Sequence, residues 1–214
     1  AFPSHRTKVI HVAGTNGKGS TCAIIDALGQ GLALRSGLFT SPHLIDYRER
    51  VRVNGLEITE EKTATLITEL RELVADWEDH PTFFELTLAL AMRHFRESDC
   101  DLIVLETGMG GRLDATTAVP ADVCVLTPIS LDHTQWLGST LDEIAREKAA
   151  IAVRGKPFLS ARQQPEAEKA PKSINDKFNK GINIGLNDRI AFEKRLFNGS
   201  ADDFNQPIGN WDVS

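Results

Sequence analysis

The sequence predicts an α/β domain in which a mostly parallel sheet carries helices on both faces. Apolar runs typical of covered strands span residues 8–13, 101–107 and 122–129, and segments with helical periodicity lie between them. This alternation is typical of consecutive βαβ units. A glycine-rich stretch over residues 14–19 follows the first predicted strand and precedes the first predicted helix, which is where phosphate-binding loops lie in such folds. We therefore expect the binding groups at the carboxyl ends of the strands.

The remaining elements follow from local signals along the chain. Thr59 begins a helix with two acidic residues in its first turn, and Thr82 and Thr140 each precede a glutamate by three residues, the spacing of a capping box. Helices are predicted over residues 20–34, from 59 onward, 86–95 and 140–153, and short strands over 37–40, 50–53 and 156–160. The buried face of the helix from Thr59 is predicted to contain Leu66, Ile67, Leu70, Leu73 and Val74.

The composition excludes several classes of protein. A net charge of -6 over 214 residues argues against a nucleic-acid binder that works through bulk positive charge. The longest apolar stretch, residues 86–92, is far shorter than the roughly 18 residues that a membrane span needs. Three cysteines at wide spacing, with no CxxC pair, indicate reduced thiols rather than a disulfide scaffold. We expect a cytoplasmic protein without nucleic-acid or membrane partners.

The glycine-rich stretch has the residue types that hold a triphosphate. Glycines let backbone N–H groups turn inward, the helix N-terminus is partly positive, a lysine adds a full charge, and a serine offers a hydroxyl to Mg²⁺. The pattern differs from the standard Walker sequence, because Val12 replaces a glycine and Gly19 separates the lysine from the serine. The alternative is a turn with an incidental lysine. The predicted ATP-binding residues are Gly14, Thr15, Asn16, Gly17, Lys18, Gly19 and Ser20.

This loop, preceded by Ile-His-Val-Ala at residues 10–13, resembles the amino-acid ligases of the Mur type. Its Gly-Lys-Gly-Ser ending resembles the dihydrofolate synthase/folylpolyglutamate synthase branch. Four more segments resemble that branch in the same order, residues 38–44, 82–85, 105–116, and 129–133 leading to 147–151. The resemblance covers residues 8–168 and implies the amino-terminal, ATP-binding domain of the family, with a Mur-ligase-type central fold.

The resemblance also implies a domain division. Residues 1–168 are expected to form the ATP-binding ligase domain, truncated at its start, and residues 169–214 an atypical tail rich in Asn, Asp and Gly. That tail keeps neither the helical nor the strand period, so it is either a small appended unit, a foreign fusion, or poorly ordered. The second domain of the family is expected to be absent, which would leave this chain weakly active or inactive.

The reaction implied by the resemblance is the ATP-dependent addition of L-glutamate to dihydropteroate, to folates, or to both. The substrate carboxylate first takes the γ-phosphoryl group, and the acyl phosphate is then attacked by the amine. Such chemistry needs charge stabilisation and positioning rather than a protein nucleophile. The expected cofactors are ATP and Mg²⁺, and the expected state is a monomer. A cell-wall Mur-type ligase and a nucleotide-binding fragment without turnover remain the alternatives.

A metal site is predicted beside the phosphate loop. Glu106 ends an apolar strand at the edge where the phosphates are expected, and a carboxylate there suits Mg²⁺. The alternative is that Glu106 only caps the following turn. The resemblance adds Ser20, Ser41 and His133 as metal ligands, although imidazole is not the preferred partner of Mg²⁺.

Lys148 lies on the apolar stripe of the helix from Thr140, at i+7 from Leu141 and i+4 from Ile144, with no acidic residue four positions away on either side. A buried ammonium without a partner is costly. Either the side chain reaches outward to solvent, or, as the family resemblance implies, it is carbamylated and helps to organise the metal. The expected catalytic set is Lys18, Glu106, His133 and Lys148.

The resemblance places the pterin beside the turn at residues 82–85, where the ring of Phe83 or Phe84 could stack on it. The capping-box spacing explains Thr82 and Glu85 without any ligand, and Asp114 could likewise only cap a turn. The expected pterin-binding residues are Thr82, Phe83, Phe84, Glu85, Leu113, Asp114 and Ala115.

Overall fold

The computed structural model describes residues 6–178, with side chains described through Pro171. Seven strands form one sheet: β1 Lys8–Ala13, β2 Ser36–Phe39, β3 Val51–Val53, β4 Leu56–Glu57, β5 Leu102–Glu106, β6 Val123–Leu126 and β7 Phe158–Ser160. Their order across the sheet is β4-β3-β2-β5-β1-β6-β7. Five strands pair in parallel, whereas β3 pairs antiparallel with both β2 and β4, so β3 alone of the seven runs in the opposite direction. The mostly parallel α/β sheet predicted from the sequence is confirmed.

The register brings the ends of the three central strands to one edge. In β1, Val12 pairs with Glu106 of β5, and Ala13 pairs with Leu126 of β6. The loop after β1, the turn after β5 and the segment after β6 therefore begin side by side. Because β1 lies between β5 and β6, the loop that follows it is flanked by both of the other segments.

Six helices connect or follow these strands: α1 Lys18–Gly31, α2 Glu60–Leu73, α3 Phe83–Glu97, α4 Thr134–Leu137, α5 Leu141–Ala149 and α6 Pro165–Phe178. The caps predicted at Thr59, Thr82 and Thr140 are confirmed, and the last two form complete capping boxes. The helix predicted to end at 153 ends at Ala149, because the chain then turns through residues 151–155 to place β7 beside β6.

Helices cover both faces of the sheet, as predicted. Side chains alternate along β1, so that Ile10 and Val12 pack with Cys22 and Ile25 of α1 on one face. Val9 and Ala13 face the other side and join the larger core cluster, in which α2, α3, α5 and α6 also bury side chains. The three cysteines, Cys22, Cys100 and Cys124, are buried and unpaired.

The face predicted for α2 is partly wrong. Leu66, Leu70 and Val74 are buried, but Ile67 is 48% exposed and Leu73 is 62% exposed. Leu66, Leu70 and Val74 are four residues apart and form a narrow stripe that packs on α3. Ile67 and Leu73 flank this stripe and stay at the surface, and Ile67 lines an open apolar cavity between α2 and α3.

Helix α6 runs across residue 168, the predicted end of the ligase domain, and buries Ala167 and Ala170 in the core. The remainder of the predicted tail, residues 179–214, lies outside the described residues, as do residues 1–5. Among residues 6–178, no helix is long and apolar enough to cross a membrane.

Candidate functional site

The phosphate loop lies between β1 and α1 and is fastened to the segment after β6. The backbone N–H groups of Thr15 and Asn16 both donate to the Pro128 carbonyl, at 3.0 and 3.2 Å. The Thr15 hydroxyl donates to the Ser130 carbonyl at 3.2 Å and accepts the Ser130 N–H at 3.1 Å. These bonds hold the loop against the segment that follows β6.

Two glycines give this loop its conformation. Gly14 has a φ of 145°, and a Cβ there would lie 1.9 Å from Oγ1 of Thr127. Gly17 has a φ of 81° and caps α1 without any side-chain hydrogen bond, whereas α2, α3 and α5 each begin with a threonine cap. The first N–H groups of α1 are therefore open to a ligand from outside the chain.

Lys18 is the cation of this loop. Its ammonium donates to the Thr15 carbonyl at 3.4 Å, which is a long hydrogen bond. The Lys18 charge also lowers the pKa of the Glu106 carboxyl, although burial raises that pKa more. The side chain thus folds back over the loop and can exchange a weak internal contact for a stronger one to an anion.

Glu106 ends β5 and is only 5% exposed. Its Oε2 accepts the Ser41 backbone N–H at 3.0 Å, and both of its carboxylate oxygens lie 3.7 Å from where a Cβ on Gly19 would be. Burial raises the pKa of Glu106, and the Ser41 N–H and Lys18 oppose that shift. The carboxylate therefore faces the first turn of α1 and Ser41 instead of capping the turn that follows β5.

Of the other three predicted metal ligands, Ser41 is half-buried beside Glu106, whereas Ser20 and His133 lie at the surface. Ser20 is exposed in the first turn of α1. His133 has a left-handed φ of 47° and a half-exposed side chain whose Nε2 lies 3.6 Å from Oδ2 of Asp132. Within the described part of the chain, no three His, Cys, Asp or Glu side chains are grouped so that they could hold a metal ion. Glu106 is thus the buried anionic ligand of the predicted set.

Lys148 is buried, with 3% of the residue exposed, so the alternative of an outward-reaching side chain is wrong. Desolvation lowers its pKa to about 8; the Lys18 charge adds to this effect, while Asp132 and Asp114 oppose it. Within residues 6–171, its ammonium forms no hydrogen bond or ion pair. Over the part of the chain that the structure describes, Lys148 is therefore a desolvated amine without a protein partner.

The position of Lys148 depends on a close contact between α5 and the turn after β5. A Cβ on Gly111 would lie 2.6 Å from the Glu147 carbonyl and 2.8 Å from that of Lys148, so only glycine permits this approach. Next to it, the Arg112 N–H donates to the Glu147 carbonyl at 3.0 Å, and the two side chains form an ion pair at 2.8 Å. The same turn thus connects Glu106 to the end of α5.

Two of the predicted pterin-binding residues meet at Gly108. A Cβ there would lie 2.7 Å from Cζ of Phe84 and 3.2 Å from Oδ2 of Asp114. Asp114 is buried and caps a 3-10 turn at Ala115–Ala118, and its Oδ2 also accepts the Met109 N–H at 2.9 Å. Leu113 beside it is 80% exposed. The Phe84 ring and the Asp114 carboxylate thus pack closely against Gly108, which leaves no room for a side chain at that position.

Phe83 lies elsewhere. It is 61% exposed, contacts Tyr47 edge-on at 5.9 Å between ring centroids, and lies under the Arg50 guanidinium at 5.5 Å. It lines a separate apolar cavity of about 510 Å³ between α2 and α3. Phe84 instead packs edge-on against Phe39 at 5.7 Å. The two phenylalanines therefore border different spaces, while Thr82 and Glu85 bond to each other as a capping box.

Sequence patterns alone assign no role to His11 or Thr116. His11 is 1% exposed in β1, and its Nε2 lies 2.7 Å from Oγ1 of Thr116. The Thr116 hydroxyl in turn donates to Oδ1 of Asp114 at 2.5 Å. One signal was available: a histidine inside an otherwise apolar strand needs a buried partner.

Comparison with known proteins identifies the family. The Mur ligase middle domain model matches residues 12–205. The dihydrofolate synthase/folylpolyglutamate synthase of Escherichia coli is 44% identical over 168 residues, which are 78% of this chain and 38% of that protein. The Bacillus subtilis protein with the same name is 41% identical over 170 residues, 77% of this chain and 40% of that protein. This chain belongs to the dihydrofolate synthase/folylpolyglutamate synthase family of the Mur ligases.

Solved structures of family members share the fold. E. coli FolC in complex with DHPP and ADP has a TM-score of 0.74 and 39% identity, over 79% of this chain and 40% of that one. An FPGS-AMPPCP complex has a TM-score of 0.76 and 34% identity, over 82% of this chain and 45% of that one. This chain spans about 40% of the length of the curated family members in bacteria that it matches.

Proposed function

We propose that this chain provides the ATP-binding part of a ligase that adds L-glutamate to dihydropteroate, to folates, or to both through an acyl phosphate. The observation that carries the proposal is the buried Glu106 carboxylate facing the uncapped first turn of α1. Family members similar to this chain have been solved with ADP, AMPPCP, DHPP and folate. The setting we propose is the cytoplasm, and the state a monomer.

The proposed nucleotide site is the loop from Gly14 to Ser20. The open N–H groups at the start of α1 bind phosphate oxygens, and Lys18 leaves its long bond to Thr15 to bind the transferred phosphoryl group. Phosphoryl transfer depends on positioning and on charge stabilisation, and both are supplied here by backbone donors and one ammonium. No protein nucleophile takes part in the proposed reaction.

The residues of the site fit Mg²⁺. Glu106 gives a buried carboxylate with one hydrogen bond from Ser41, so its oxygens retain acceptor capacity toward a cation. Magnesium in nucleotide sites is held by one or two carboxylates and by the phosphates themselves, which agrees with a site that has one buried carboxylate. Ser20, Ser41 and His133 complete the proposed ligand set. When bound, the ion would neutralise charge on the phosphates.

Lys148 fits a carbamate. Its amine is desolvated, its pKa is lowered to about 8, and it has no protein partner among the described residues. An unprotonated amine adds CO2 to give a carbamate and one released proton. Nuclear magnetic resonance with ¹³C-bicarbonate would show a carbamate carbon in the wild-type chain and none in Lys148→Met. A spectrum without that signal at saturating bicarbonate contradicts the modification.

The proposed pterin site is the space bordered by Phe84, Leu113, Asp114 and Ala115. Phe84 gives a ring for stacking, and Asp114 gives an anion that accepts N–H donors. Thr82 and Glu85 shape the start of α3 by capping it, which sets the direction of Phe84. Phe83, also predicted here, borders the cavity between α2 and α3 instead.

The reaction has two steps with balanced groups. The carboxylate oxygen of the acceptor takes the γ-phosphoryl group of ATP and releases ADP. The glutamate amine then attacks the acyl carbon, forms the amide, and expels inorganic phosphate as the amine loses a proton. The role of this chain is to hold the acceptor at the pterin end and the nucleotide at the loop, so that the carboxylate oxygen of the acceptor meets the γ-phosphorus of ATP.

Calorimetry with Mg-ATP tests the nucleotide site. Lys18→Ala removes a charged hydrogen bond to phosphate and should weaken binding by roughly 10- to 150-fold, the equivalent of about 1.5–3 kcal/mol. Lys8→Ala is the matched control, because Lys8 begins β1 at the opposite edge of the sheet and is exposed. Unchanged affinity in Lys18→Ala would contradict the loop assignment.

Acceptor choice separates the proposed function from its alternatives. Dihydropteroate and a nucleotide-linked peptide precursor are each offered with Mg-ATP and candidate amino acids, and ADP release and direct binding are both followed. Binding of dihydropteroate alone supports the folate branch, and binding of the nucleotide-linked acceptor alone supports a cell-wall ligase. Binding of Mg-ATP without either acceptor supports a nucleotide-binding fragment.

A further inference from the structure

His11 lies in the middle of β1, on the face that also carries Val9 and Ala13 and packs into the larger core cluster. It is 1% exposed, and its Nε2 lies 2.7 Å from the Thr116 hydroxyl. Burial lowers its pKa to about 4, against a smaller opposing effect of Asp114, so the imidazole is neutral near pH 7. A buried neutral imidazole has one N–H donor, and its location is fixed by the groups around it.

The groups that accept at Asp114 determine which partner donates in each hydrogen bond between His11, Thr116 and Asp114. Asp114 receives the Met109 N–H at Oδ2, and the Thr116 N–H and hydroxyl at Oδ1. The carboxylate accepts all three of these hydrogen bonds, since the other partners are N–H and O–H donors. The single proton of the Thr116 hydroxyl is therefore directed to Asp114. The oxygen of Thr116 must then accept, so His11 carries its proton on Nε2.

The Asp114 carboxylate has about four acceptor positions, and donors from Met109 and Thr116 occupy three of them. About one position remains. Asp114 Oδ2 lies 3.2 Å from the Cβ position of Gly108, next to the ring of Phe84. Phe84 and Asp114 are thus neighbours across Gly108, and a ligand that stacks on the Phe84 ring would have this carboxylate beside it.

We propose that His11 is a positioning residue for pterin recognition. By donating Nε2–H to Thr116, it commits the threonine proton to Asp114 and fixes the rotation of that carboxylate, so that the last acceptor position receives one N–H of the pteridine ring. His11 itself is buried and does not touch the ligand. The inference rests on the proposed function for its ligand, but the hydrogen-bond chain itself can be tested without any ligand.

The hydrogen bonds that run from His11 through Thr116 to Asp114 also connect two sites. His11 lies three residues before Gly14, in the strand that leads into the phosphate loop. Thr116 and Asp114 follow the glycine turn that begins after Glu106. The support for the pterin carboxylate and the support for the nucleotide loop therefore share β1. His11 acts on the first site alone, because its side chain bonds to Thr116, not to the loop.

The first experiment measures the tautomer. The full chain is labelled with ¹⁵N-histidine, and long-range ¹H–¹⁵N spectra are recorded between pH 5.5 and 8. The His11 signal is assigned by its loss in His11→Gln. We expect a neutral ring with the proton on Nε2 throughout this range. A ring that is protonated on Nδ1, or charged in this range, overturns the inference whether or not a pterin binds.

The second experiment measures dihydropteroate and Mg-ATP affinities for the same variants. His11→Leu removes the donor and should weaken dihydropteroate binding by about 2- to 12-fold, the range of one neutral hydrogen bond. His11→Gln offers an amide N–H at similar reach and should restore most of that loss. Thr116→Val should weaken binding similarly, and its combination with His11→Leu should add little further.

The readouts distinguish positioning from a merely structural role. If His11 positions Asp114, His11→Leu lowers dihydropteroate affinity but changes Mg-ATP affinity by no more than about twofold. His11→Gln then restores most of the dihydropteroate affinity. Loss of both affinities together, equal losses in His11→Gln and His11→Leu, or full affinity in His11→Leu each overturn it. If His11→Leu does not fold, His11→Gln and Thr116→Val give the same comparison. A wild-type chain that binds Mg-ATP but not dihydropteroate overturns the proposed substrate, and the pterin part of this inference with it.

Discussion

Polar residues at the two ends of the parallel strands differ in how they are paired. We refer to these two ends as the edge where the strands begin and the edge where the strands end. At the edge where the parallel strands begin, polar groups bond to one another. The Arg35 N–H donates to Asp101 at 3.0 Å, and its guanidinium donates to the Ser98 carbonyl at 2.9 Å. Lys156 forms an ion pair with Asp122 at 2.9 Å, and Asp122 also accepts the Val9 N–H. These groups have partners that hold the strand starts together.

At the edge where the strands end, polar groups are more deeply buried and have fewer partners. Glu106 receives one N–H, Lys18 makes one long bond, and Lys148 makes none within the described residues. Burying polar groups with unused bonding capacity costs free energy. A fold retains such groups where a ligand supplies the missing partners. Unused capacity occurs at both edges, since the buried Ser36 hydroxyl at the start of β2 also has no partner among the described residues. What distinguishes the binding edge is that charged side chains, Glu106 and Lys148, are buried there with unused capacity.

The largest effect is expected at Gly14. Gly14→Ala forces a Cβ to within 1.9 Å of the Thr127 hydroxyl and 3.0 Å of its carbonyl, at a φ of 145°. The loop must then move away from residues 127–130. Overpacking and backbone strain together should lower the free energy of unfolding by roughly 2–5 kcal/mol. Urea denaturation of the variant measures this loss, and Mg-ATP binding should fall with it.

Gly17 is the matched control within the same loop. It has a φ of 81°, but a Cβ there meets nothing within 4 Å. Gly17→Ala therefore adds strain without a clash and should cost about 1–2 kcal/mol. Equal losses in the two variants would show that the contact with Thr127 does not hold the loop in place.

Lys148 gives the sharpest test of whether buried groups at this edge lack partners, because the free-energy cost of burying its ammonium depends on pH. Its folded pKa is about 8, below the usual 10.5, so the unfolded chain binds more protons between these values. Stability of the wild type should therefore rise with pH across this window, and Lys148→Met should lack that rise. The extra stability of Lys148→Met over the wild type is full below pH 8 and is lost toward pH 10.5, a change of roughly 3 kcal/mol.

Denaturation is followed in buffers freed of CO2, so that only the proton equilibrium is measured. Lys156→Met is the control from the opposite edge, since this paired, partly exposed lysine should contribute no more than about 1 kcal/mol. A wild-type stability curve parallel to that of Lys148→Met from pH 7 to 11 would show that the amine of Lys148 is not desolvated.

Local signals in the sequence were enough to predict most of the fold. Strand β1, the caps at Thr59, Thr82 and Thr140, and the glycine loop all follow from residues that are neighbours along the chain. The exposure of Ile67 and Leu73 could not be predicted in this way. It depends on how many helices pack against α2, which is a property of the tertiary structure.

The site was predictable only in part for the same reason. Glu106 and Lys148 could be singled out, because one ends an apolar strand and the other interrupts an apolar stripe. The bond between His11 and Thr116 joins residues 105 positions apart, so no local pattern indicates it. The separation of Phe83 from Phe84 depends on the rotation of α3, which its packing on the sheet determines.

The smallest expected effect is at the edge where the strands begin, and it acts through the backbone alone. Ala33 follows α1 with a φ of 58°, and the N–H groups of Ala33 and Leu34 donate to the carbonyls of Gln30 and Gly29. This is the Schellman pattern, in which glycine is favoured at the position of Ala33. A left-handed alanine costs roughly 1–2 kcal/mol, and glycine loses part of that gain to unfolded-state entropy.

Ala33→Gly should therefore raise the free energy of unfolding by about 0.5–1 kcal/mol in urea denaturation. Because the residue lies at the far end of α1 from the phosphate loop, Mg-ATP affinity should not change. Ala27→Gly in the middle of the same helix is the control and should lower stability by about 1 kcal/mol. If both variants lose stability, the left-handed conformation of Ala33 is not a source of strain. A gain in stability with altered nucleotide affinity would instead mean that the two ends of α1 are coupled, against the separation of the two edges argued above.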